Sequence, residues 1–334
     1  MSTPADPALE LSQLRKQLRS PWTTTSGDDA GAVSSAAIAS ADLARRAYGE
    51  GDVDARWRAE SILYFVNLDT WFAPPVEPTA AVVWTTLMRA KLAGLRRELA
   101  ADLDHAELDA AGLREQLLQA VARWGAYNHP VLDDLERTGS LAAYRIWAKN
   151  WFGSCQGFSL QLASLFQRTT GGARRAVLEN LSDELTSTAE HDDLRLRFYE
   201  SLGIRHSAEQ VLADPDWVLE STELLNLRTG LCTLADPMPA LGCFYGVEAN
   251  WPPECQRHHA MNTRRGLDER TIEYWTTHAF VDLHHADEWL EATQSLCSTA
   301  AQRAAVLEGA VIQLRLRWRM YDAIRGRIAS AAAA

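Results

Sequence analysis

Apolar residues recur at three- and four-residue spacing along most of the chain, which is the period of a helix with one buried face. In a first block, residues 36–104, this pattern is clearest over 55–72 and 80–103, and Ala73-Pro74-Pro75 separates the two stretches. Gly and Pro are sparse, at 19 and 12 of 334 residues, so few helix breakers are present. The pattern predicts an all-α protein.

A second helical block begins near Asn128-His129-Pro130 and continues to residue 328. Within it we predict helices over 141–169, 173–202, 208–226, 234–249, 268–290 and 300–328. The expected helix ends are Gly171-Gly172, Gly203, Gly230 and Pro252-Pro253, and residues 255–259 are expected to form a loop. The last helix carries four arginines that we expect to pair with acidic residues, namely Arg315, Arg317, Arg319 and Arg325.

The pattern divides the chain into three parts. Residues 1–33 mix Ser, Thr, Pro, Gly and Asp without periodicity, which is typical of a flexible tail. Residues 34–125 are predicted to form an N-terminal helical extension that docks on the rest of the chain. Residues 126–330 are predicted to form the domain that carries the chemistry.

The charge balance narrows the class of partner. Lys and Arg number 33 against 44 Asp and Glu, and the formal net charge of −11 argues against a nucleic-acid groove or an anionic membrane surface. There is no run of about 18 uninterrupted apolar residues, and the first residues are polar where a secretory signal would be apolar. We therefore expect a cytoplasmic protein that binds a small-molecule substrate, with no nucleic-acid or membrane partner. A homodimer is compatible with this sequence.

The cysteines and the common motifs exclude several other classes. The five cysteines are widely spaced and include no C-x-x-C pair, so neither a disulfide framework nor a thiolate zinc site is indicated. The signatures G-x-G-x-x-G, G-x-x-x-x-G-K-[ST] and G-x-S-x-G are all absent. A hydrolase with a nucleophilic cysteine stays open, with Cys155 and Cys243 as candidates. A non-catalytic helical binding protein is a further alternative.

The most specific polar pattern consists of His278, Asp282 and His285, which are spaced i, i+4 and i+7. At about 100° per residue these three side chains fall within roughly 60° of one another on one helical face, whereas His284 points away. Imidazoles and a carboxylate that converge in this way are typical of a metal site. The alternative is a hydrogen-bonded polar stripe on a helix.

Two other segments offer ligands of the same kind. Glu184 and His191 are seven positions apart and share a face if one helix carries both, although such a pair is common on exposed helices. Glu248 follows an uncharged run of eleven residues that starts at Pro237. A buried carboxylate must be protonated, hydrogen-bonded, exposed at a helix end or bound to a cation, so Glu248 is a third candidate.

Three predicted helices thus supply three carboxylates and three imidazoles: Glu184, His191, Glu248, His278, Asp282 and His285. Two divalent ions would bring a charge of +4 against −3 from the carboxylates, whereas three bare carboxylates could not be buried together. Oxygen and nitrogen ligands without sulfur suit iron or manganese, as in the carboxylate-bridged sites of helical bundles. The prediction is a two-metal site.

These residues resemble the heme-oxygenase-like dimetal oxidases and oxygenases, also called iron-containing redox enzymes, within the TenA-like helical folds. The resemblance covers about residues 128–328. It rests on five pieces: His129-Pro130, Asn180-Leu181-Ser182-Asp183-Glu184 with His191, residues 198–203, residues 240–248 with Pro252 behind them, and His278-x3-Asp282-x2-His285.

The resemblance implies a heme-oxygenase-like helical bundle after the N-terminal extension, in which the six residues bind two Fe(II). O2 is then the co-substrate, an external reductant is allowed, and manganese is the alternative metal. The implied reaction is oxidation of a small nitrogen-bearing metabolite, an amine or an amino acid, by N-oxygenation or oxidative C–C cleavage, in specialised metabolism. A fatty-acid decarboxylase of the same family and a TenA-like hydrolase are the alternatives.

One position in this pattern has two candidates. Some members of the family place the glutamate and the histidine of the second pair further apart than Glu184 and His191 are here. Glu190 is therefore the alternative ligand to Glu184.

Overall fold

The structure, a computed structural model, describes residues 29–72, 78–103, 108–186, 191–205 and 208–333. Within these ranges the chain forms helices and no strand, so the prediction of an all-α protein is confirmed. The helices are α1 (Asp29–Tyr48), α2 (Val53–Phe72), α3 (Pro78–Glu98), α4 (Ala110–Trp124), α5 (Pro130–Thr138), α6 (Leu141–Ser154), α7 (Phe158–Phe166), α8 (Gly171–Thr186), α9 (His191–Ser201), α10 (Ala208–Val211), α11 (Leu219–Thr233), α12 (Met238–Arg264), α13 (Glu269–Leu296) and α14 (Ala300–Ala333).

The N-terminal helices pack on the rest of the protein through one apolar core. This core contains buried residues from α1 to α4, such as Leu63 and Leu87, together with residues of the later helices, such as Trp147 and Ile324. Helix α1 begins at Asp29, so the last five residues of the predicted tail are helical, and residues 1–28 lie outside the described part. None of the described helices is both long and apolar enough to cross a membrane.

Two predicted helices are divided in the structure. Residues 141–169 form α6 and α7, which are separated by a turn at 155–157, so the prediction of one continuous helix is wrong. Gly157 in this turn has a φ of 64°, in the left-handed region that favours glycine. Residues 208–226 form α10 and the start of α11, with the non-helical residues 212–218 between them, so this prediction of one helix is also wrong. Within 173–202 the structure describes α8 and α9, and residues 187–190 lie outside the described part of the chain.

Helix α12 contradicts the predicted end at Pro252-Pro253, because it continues to Arg264. A proline inside a helix removes one backbone hydrogen bond and costs about 3 kcal/mol. Here Trp251, Glu254 and Cys255 are all buried, so packing around the prolines outweighs this cost. The predicted loop over 255–259 is wrong for the same reason.

Glycines inside helices make room for neighbouring elements. Gly230, predicted as a helix end, lies within α11, and a Cβ at this position would meet Cε of Met88 at 2.0 Å. A Cβ on Gly242 of α12 would lie 1.8 Å from the carbonyl oxygen of Val306 in α14. The backbones of α12 and α14 therefore touch, and α12 packs along both α13 and α14.

The arginines of α14 are paired with acidic residues, as predicted. Arg317 lies deepest, and its Nη2 is 3.0 Å from Oε1 of buried Glu254. Burial raises the pKa of Glu254, but Arg317, His258 and Tyr321 reverse this effect and hold it at about 2. The other pairs are Arg315 with Asp102, Arg319 with Glu98 and Glu223, and Arg325 with Asp134.

A second buried ionic cluster joins the N-terminal helices to α11. Lys91 of α3 donates to Oε2 of Glu60 in α2 at 2.7 Å and to the carbonyl of Glu223 in α11 at 2.8 Å. Asn226 of α11 donates to the same Glu60 carboxylate at 2.9 Å. Burial lowers the pKa of Lys91, and Glu60 and Glu223 oppose this effect. The charges thus compensate one another inside the core.

Removal of the lysine from this cluster is expected to destabilise the protein. Lys91→Met leaves Glu60 without its cation and should lower the free energy of unfolding, measured by urea denaturation, by about 3–5 kcal/mol. The double variant Glu60→Leu/Lys91→Met should recover at least half of this loss, because no charge is left behind. Arg137→Met, which removes an exposed arginine, is the control and should change the free energy of unfolding by less than about 0.5 kcal/mol. A loss in Lys91→Met as small as in this control would show that Lys91 does not compensate the charge of Glu60.

Candidate metal site

Four helices meet where the predicted ligands lie. Helix α13 carries His278 and His285, the end of α8 carries Glu184, α9 begins at His191, and the middle of α12 carries Glu248. The packing of α12 against α13, and of α8 and α9 against α13, brings these segments together. The side chains of His191, His278, His285 and Glu248 are buried.

Glu184, His191 and His278 form one compact group. One ligand atom from each of the three side chains lies within 4.8 Å of the other two, and no other such group of His, Cys, Asp or Glu occurs among the described residues. Oε1 of Glu184 is 3.1 Å from Nδ1 of His191 and 3.9 Å from Nε2 of His278. The end of α8 thus offers a carboxylate, and the start of α9 an imidazole, at one point.

The backbone of its own helix orients His278. Its Nδ1 lies 2.8 Å from the carbonyl oxygen of Tyr274, so Nδ1 carries the proton and the lone pair of the neutral ring is on Nε2. Burial, followed by the nearby His191, holds the pKa of His278 well below its usual value. A neutral imidazole with its lone pair directed at Glu184 is the form that binds a metal.

His285 is oriented by a carboxylate that the spacing analysis did not select. Its Nε2 donates to Oδ2 of Asp183 at 2.9 Å, which leaves the lone pair of the neutral ring on Nδ1. This Nδ1 lies 3.7 Å from Oε2 of Glu248. Metal-binding histidines commonly donate their other ring N–H to a carboxylate in this way. Asp183 therefore acts as the residue that positions His285.

Glu248 has a polar contact but no cation beside it. The amide of Asn180 donates to its Oε1 at 3.0 Å. Within the described ranges, no Lys or Arg nitrogen lies within 4.0 Å of the carboxylates of Glu248 or Glu184, whose titratable partners are imidazoles. An uncompensated buried carboxylate is costly, so these two groups favour a bound cation.

The separations fit a small divalent ion. Two ligand atoms that each lie about 2.1 Å from one ion are about 3.0–4.2 Å apart. The separations of 3.1 and 3.9 Å around Glu184 and of 3.7 Å between His285 and Glu248 fall in this range. Carboxylate oxygen and imidazole nitrogen, without sulfur, are a donor set that iron accepts.

Three further positions were singled out in the sequence. Asp282 lies in α13 between His278 and His285, and its side chain is outside the described part of the structure. Glu190 lies outside the described residues altogether. His284 points away, as predicted, with its side chain 74% exposed and its Nε2 2.8 Å from Glu288.

A small cleft, about 40 Å³ in volume, opens onto these ligands. Its polar wall includes Glu184, His191, Glu248 and His278, and its apolar wall is largely aromatic. The aromatic side chains are Trp151, Phe158, Trp251 and Tyr274, and the remaining lining residues are Cys155, Asp192, Arg195, Arg228, Val247 and Arg317. The metal-ligand candidates thus face a cleft with one polar wall and one aromatic wall.

The periodicity did not identify several residues that shape the site. Asp183 and Asn180 are in the segment that carries the family resemblance, yet only Glu184 was selected from it. Arg228 is the single charged residue in the run from Leu224 to Cys232. A lone charge in an otherwise uncharged, buried stretch of a helix indicates a functional role for that residue. Spacing arguments alone do not reveal such a residue.

The cysteines give the hydrolase alternative little support. Cys243 is fully buried, burial raises the pKa of its thiol to about 12, and its Sγ contacts Gln313. Cys155 lines the cleft, and its nearest hydrogen-bonding side chain is the hydroxyl of Ser154 at 3.9 Å. A nucleophilic thiol needs a base or a cation that lowers its pKa, and at Cys243 burial outweighs the opposing effect of Arg228.

Comparisons with known proteins agree with the donor set. Residues 145–318 match the family of iron-containing redox enzymes. A protein of Chlamydia pneumoniae named 4-aminobenzoate synthase is 29% identical over 174 residues, which cover 52% of this chain and 76% of that protein. A domain of unknown function with a heme oxygenase-like fold from Shewanella denitrificans OS217 aligns with a TM-score of 0.53 and 17% identity, over 66% of this chain and 93% of that chain.

The structural likeness shows the fold, and the family match covers just over half of the chain. The resemblance noted from the sequence and the prediction of a redox enzyme are both confirmed. The chain has a heme oxygenase-like fold and belongs to the iron-containing redox enzymes.

Proposed function

We propose that this protein is a non-haem diiron oxygenase or oxidase that uses O2 to oxidise a small nitrogen-bearing metabolite, an amine or an amino acid. The observation that carries the proposal is the convergence of Glu184, His191 and His278 beside a second carboxylate–imidazole pair, Glu248 and His285, at one cleft. Membership of an iron-containing family supports iron as the metal.

We assign the ligands to two neighbouring positions. Glu184, His191 and His278 would hold one iron, and their separations support this assignment. Glu248 and His285 would hold the second iron, with Asp282 as a further ligand by its place in the helical register. Two Fe(II) then bring a charge of +4 against −3 from the three carboxylates. Manganese would accept the same donors and is the alternative metal.

Bound iron would supply the binding and reductive activation of O2, and the chain supplies the surroundings in which this occurs. Tyr274 and Asp183 fix the two imidazoles of α13 through their second nitrogens. Trp151 and Trp251, stacked at 5.2 Å, form part of a rigid apolar wall that limits water at the site. O2 accepts four electrons, so a reaction that takes two from the substrate needs an external reductant for the rest.

The substrate class rests on the relative and on the cleft. The Chlamydia pneumoniae relative is named for a product that carries an aromatic amine, which favours a nitrogen-bearing substrate here too. The aromatic wall suits a compact substrate, and N-oxygenation and oxidative C–C cleavage are the two reaction branches. Fatty-acid decarboxylation is the alternative reaction within the family. We further propose that the enzyme is cytoplasmic and acts in specialised metabolism.

Iron binding and product analysis test this function. Protein loaded anaerobically with Fe(II) should bind about two ions per chain, because the six ligands exceed what one ion uses while it keeps an open position. With ¹⁸O2 and a panel of amines, amino acids and fatty acids, mass spectrometry should detect an ¹⁸O-labelled N-oxygenated product or a cleavage fragment. A plateau at zero or one iron, or no O2-dependent product from any compound with iron bound, would overturn the proposal.

The two adjacent histidines of α13 provide a matched pair of variants. His285→Ala should lower iron occupancy to about one per chain, because His285 faces Glu248, and His284→Ala should leave two, because His284 is exposed beside Glu288. Metal content by mass spectrometry after gel filtration, with circular dichroism as the check on folding, distinguishes them. Equal losses in both variants would show that the assigned helical register is wrong.

A similar comparison of variants tests whether Glu184 or Glu190 is the iron ligand. Glu184→Gln should reduce iron affinity by at least about tenfold, because it removes a charged oxygen 3.1 Å from His191, whereas Glu190→Gln should not. Competition with a coloured Fe(II) chelator measures both affinities. The opposite ranking would transfer the ligand role to Glu190.

A further inference from the structure

Arg228 of α11 is a buried guanidinium in the wall of the cleft. The residue is only 1% exposed and lines the same space as the proposed iron ligands. Its Nε and Nη2 are buried and have no hydrogen-bond partner, and none of the described carboxylates lies within 4.0 Å of it. A guanidinium stays charged at any pH at which proteins fold.

The other two arginines of the cleft are already compensated. Arg195 donates to Asp192 and to the carbonyl oxygen of Cys155, each at 2.6 Å. Arg317 donates to both carboxylate oxygens of Glu254 at 3.0 Å. Arg228 thus differs from them in presenting a full positive charge to the cleft without an acidic partner.

Such a residue lowers stability unless a ligand satisfies it. A buried charge with no partner costs several kcal/mol, and a buried donor without an acceptor adds to that cost. An apolar side chain would fill the same place in α11 at less cost, since its neighbours Leu225, Leu227 and Leu231 are themselves core residues. The position therefore indicates that Arg228 binds an anionic ligand.

We propose that Arg228 binds the carboxylate of the substrate, so that the substrate of this enzyme is an amino acid or an amino-substituted aromatic acid rather than a simple amine. The inference rests on the proposed oxidation of a nitrogen-bearing metabolite and specifies its second functional group. The planar guanidinium matches a carboxylate with two parallel hydrogen bonds. One uncompensated cation balances a monoanion, whereas a phosphate dianion would need a second.

The lining of the cleft supports the same ligand. Trp151, Phe158 and Trp251 line it together with Arg228, so the apolar part of a ligand would contact aromatic side chains while its carboxylate meets the guanidinium. The iron ligands Glu184 and His278 line the same cleft. A carboxylate held by Arg228 would thus fix the orientation of the substrate relative to the metal site.

Binding to iron-free protein tests this role without reliance on activity. Isothermal titration with benzoate and 4-aminobenzoate is expected to show Arg228→Met binding both about 10- to 100-fold more weakly than the wild type. Arg228→Lys keeps the charge but loses the planar fork, so its affinity for both ligands should lie between those of the wild type and Arg228→Met. Neutral benzamide should bind the wild type at least tenfold more weakly than benzoate and should not distinguish the variants. Arg137→Met, which removes an exposed charge, should behave as the wild type does.

Thermal unfolding of the ligand-free variants gives a second readout. Arg228→Met should melt at the same temperature as the wild type or a few degrees higher, because an unpartnered buried charge is removed. A purely structural arginine would give a lower melting temperature instead. Addition of benzoate should raise the melting temperature of the wild type and not that of Arg228→Met.

Two results would overturn the inference. One is equal binding of benzoate and 4-aminobenzoate to the wild type and Arg228→Met, including no detectable binding to either. The other is tight binding of inorganic phosphate, equal to that of benzoate in the wild type and absent in Arg228→Met. This result would assign the site to phosphate. Iron content, measured on the same preparations, reports separately on the proposed diiron function.

Discussion

Charge buried among helices has to be compensated where it lies, and this constraint organises the whole molecule. Glu60 is compensated by Lys91 and Glu254 by Arg317, so the protein supplies both charges of each pair. Glu184 and Glu248 differ from these pairs, since among the described residues their polar contacts are with imidazoles and one amide. The helices therefore meet at a point where the protein provides the negative charge and a metal ion is suited to provide the positive charge.

The sequence predicted the features of the fold that depend on periodicity. Helices, the shared face of His278 and His285, and the outward direction of His284 all follow from the rotation of about 100° per residue. The helix ends were harder, because packing decides them. Buried neighbours carry α12 through Pro252-Pro253, although local propensity alone predicts that the helix stops there.

The site shows the same division. Glu184 and His191 were predicted to share a helical face, and the structure brings them together from the end of α8 and the start of α9. The predicted proximity of these two side chains agrees with the 3.1 Å between Oε1 of Glu184 and Nδ1 of His191. Asp183 and Arg228 could not be predicted from spacing, because their roles depend on what lies opposite them in space.

Helix α11 lies between the N-terminal helices and the cleft beside the proposed iron ligands. Glu223 and Asn226 are bound by side chains of α2 and α3, whereas Arg228 lies at the cleft. Residues 226 and 228 are about 200° apart around a helix, so the two sets occupy opposite faces. A shift of α2 or α3 would move α11 and with it the guanidinium. The extension thus fixes one wall of the cleft, although it contributes no residue to the proposed iron ligands.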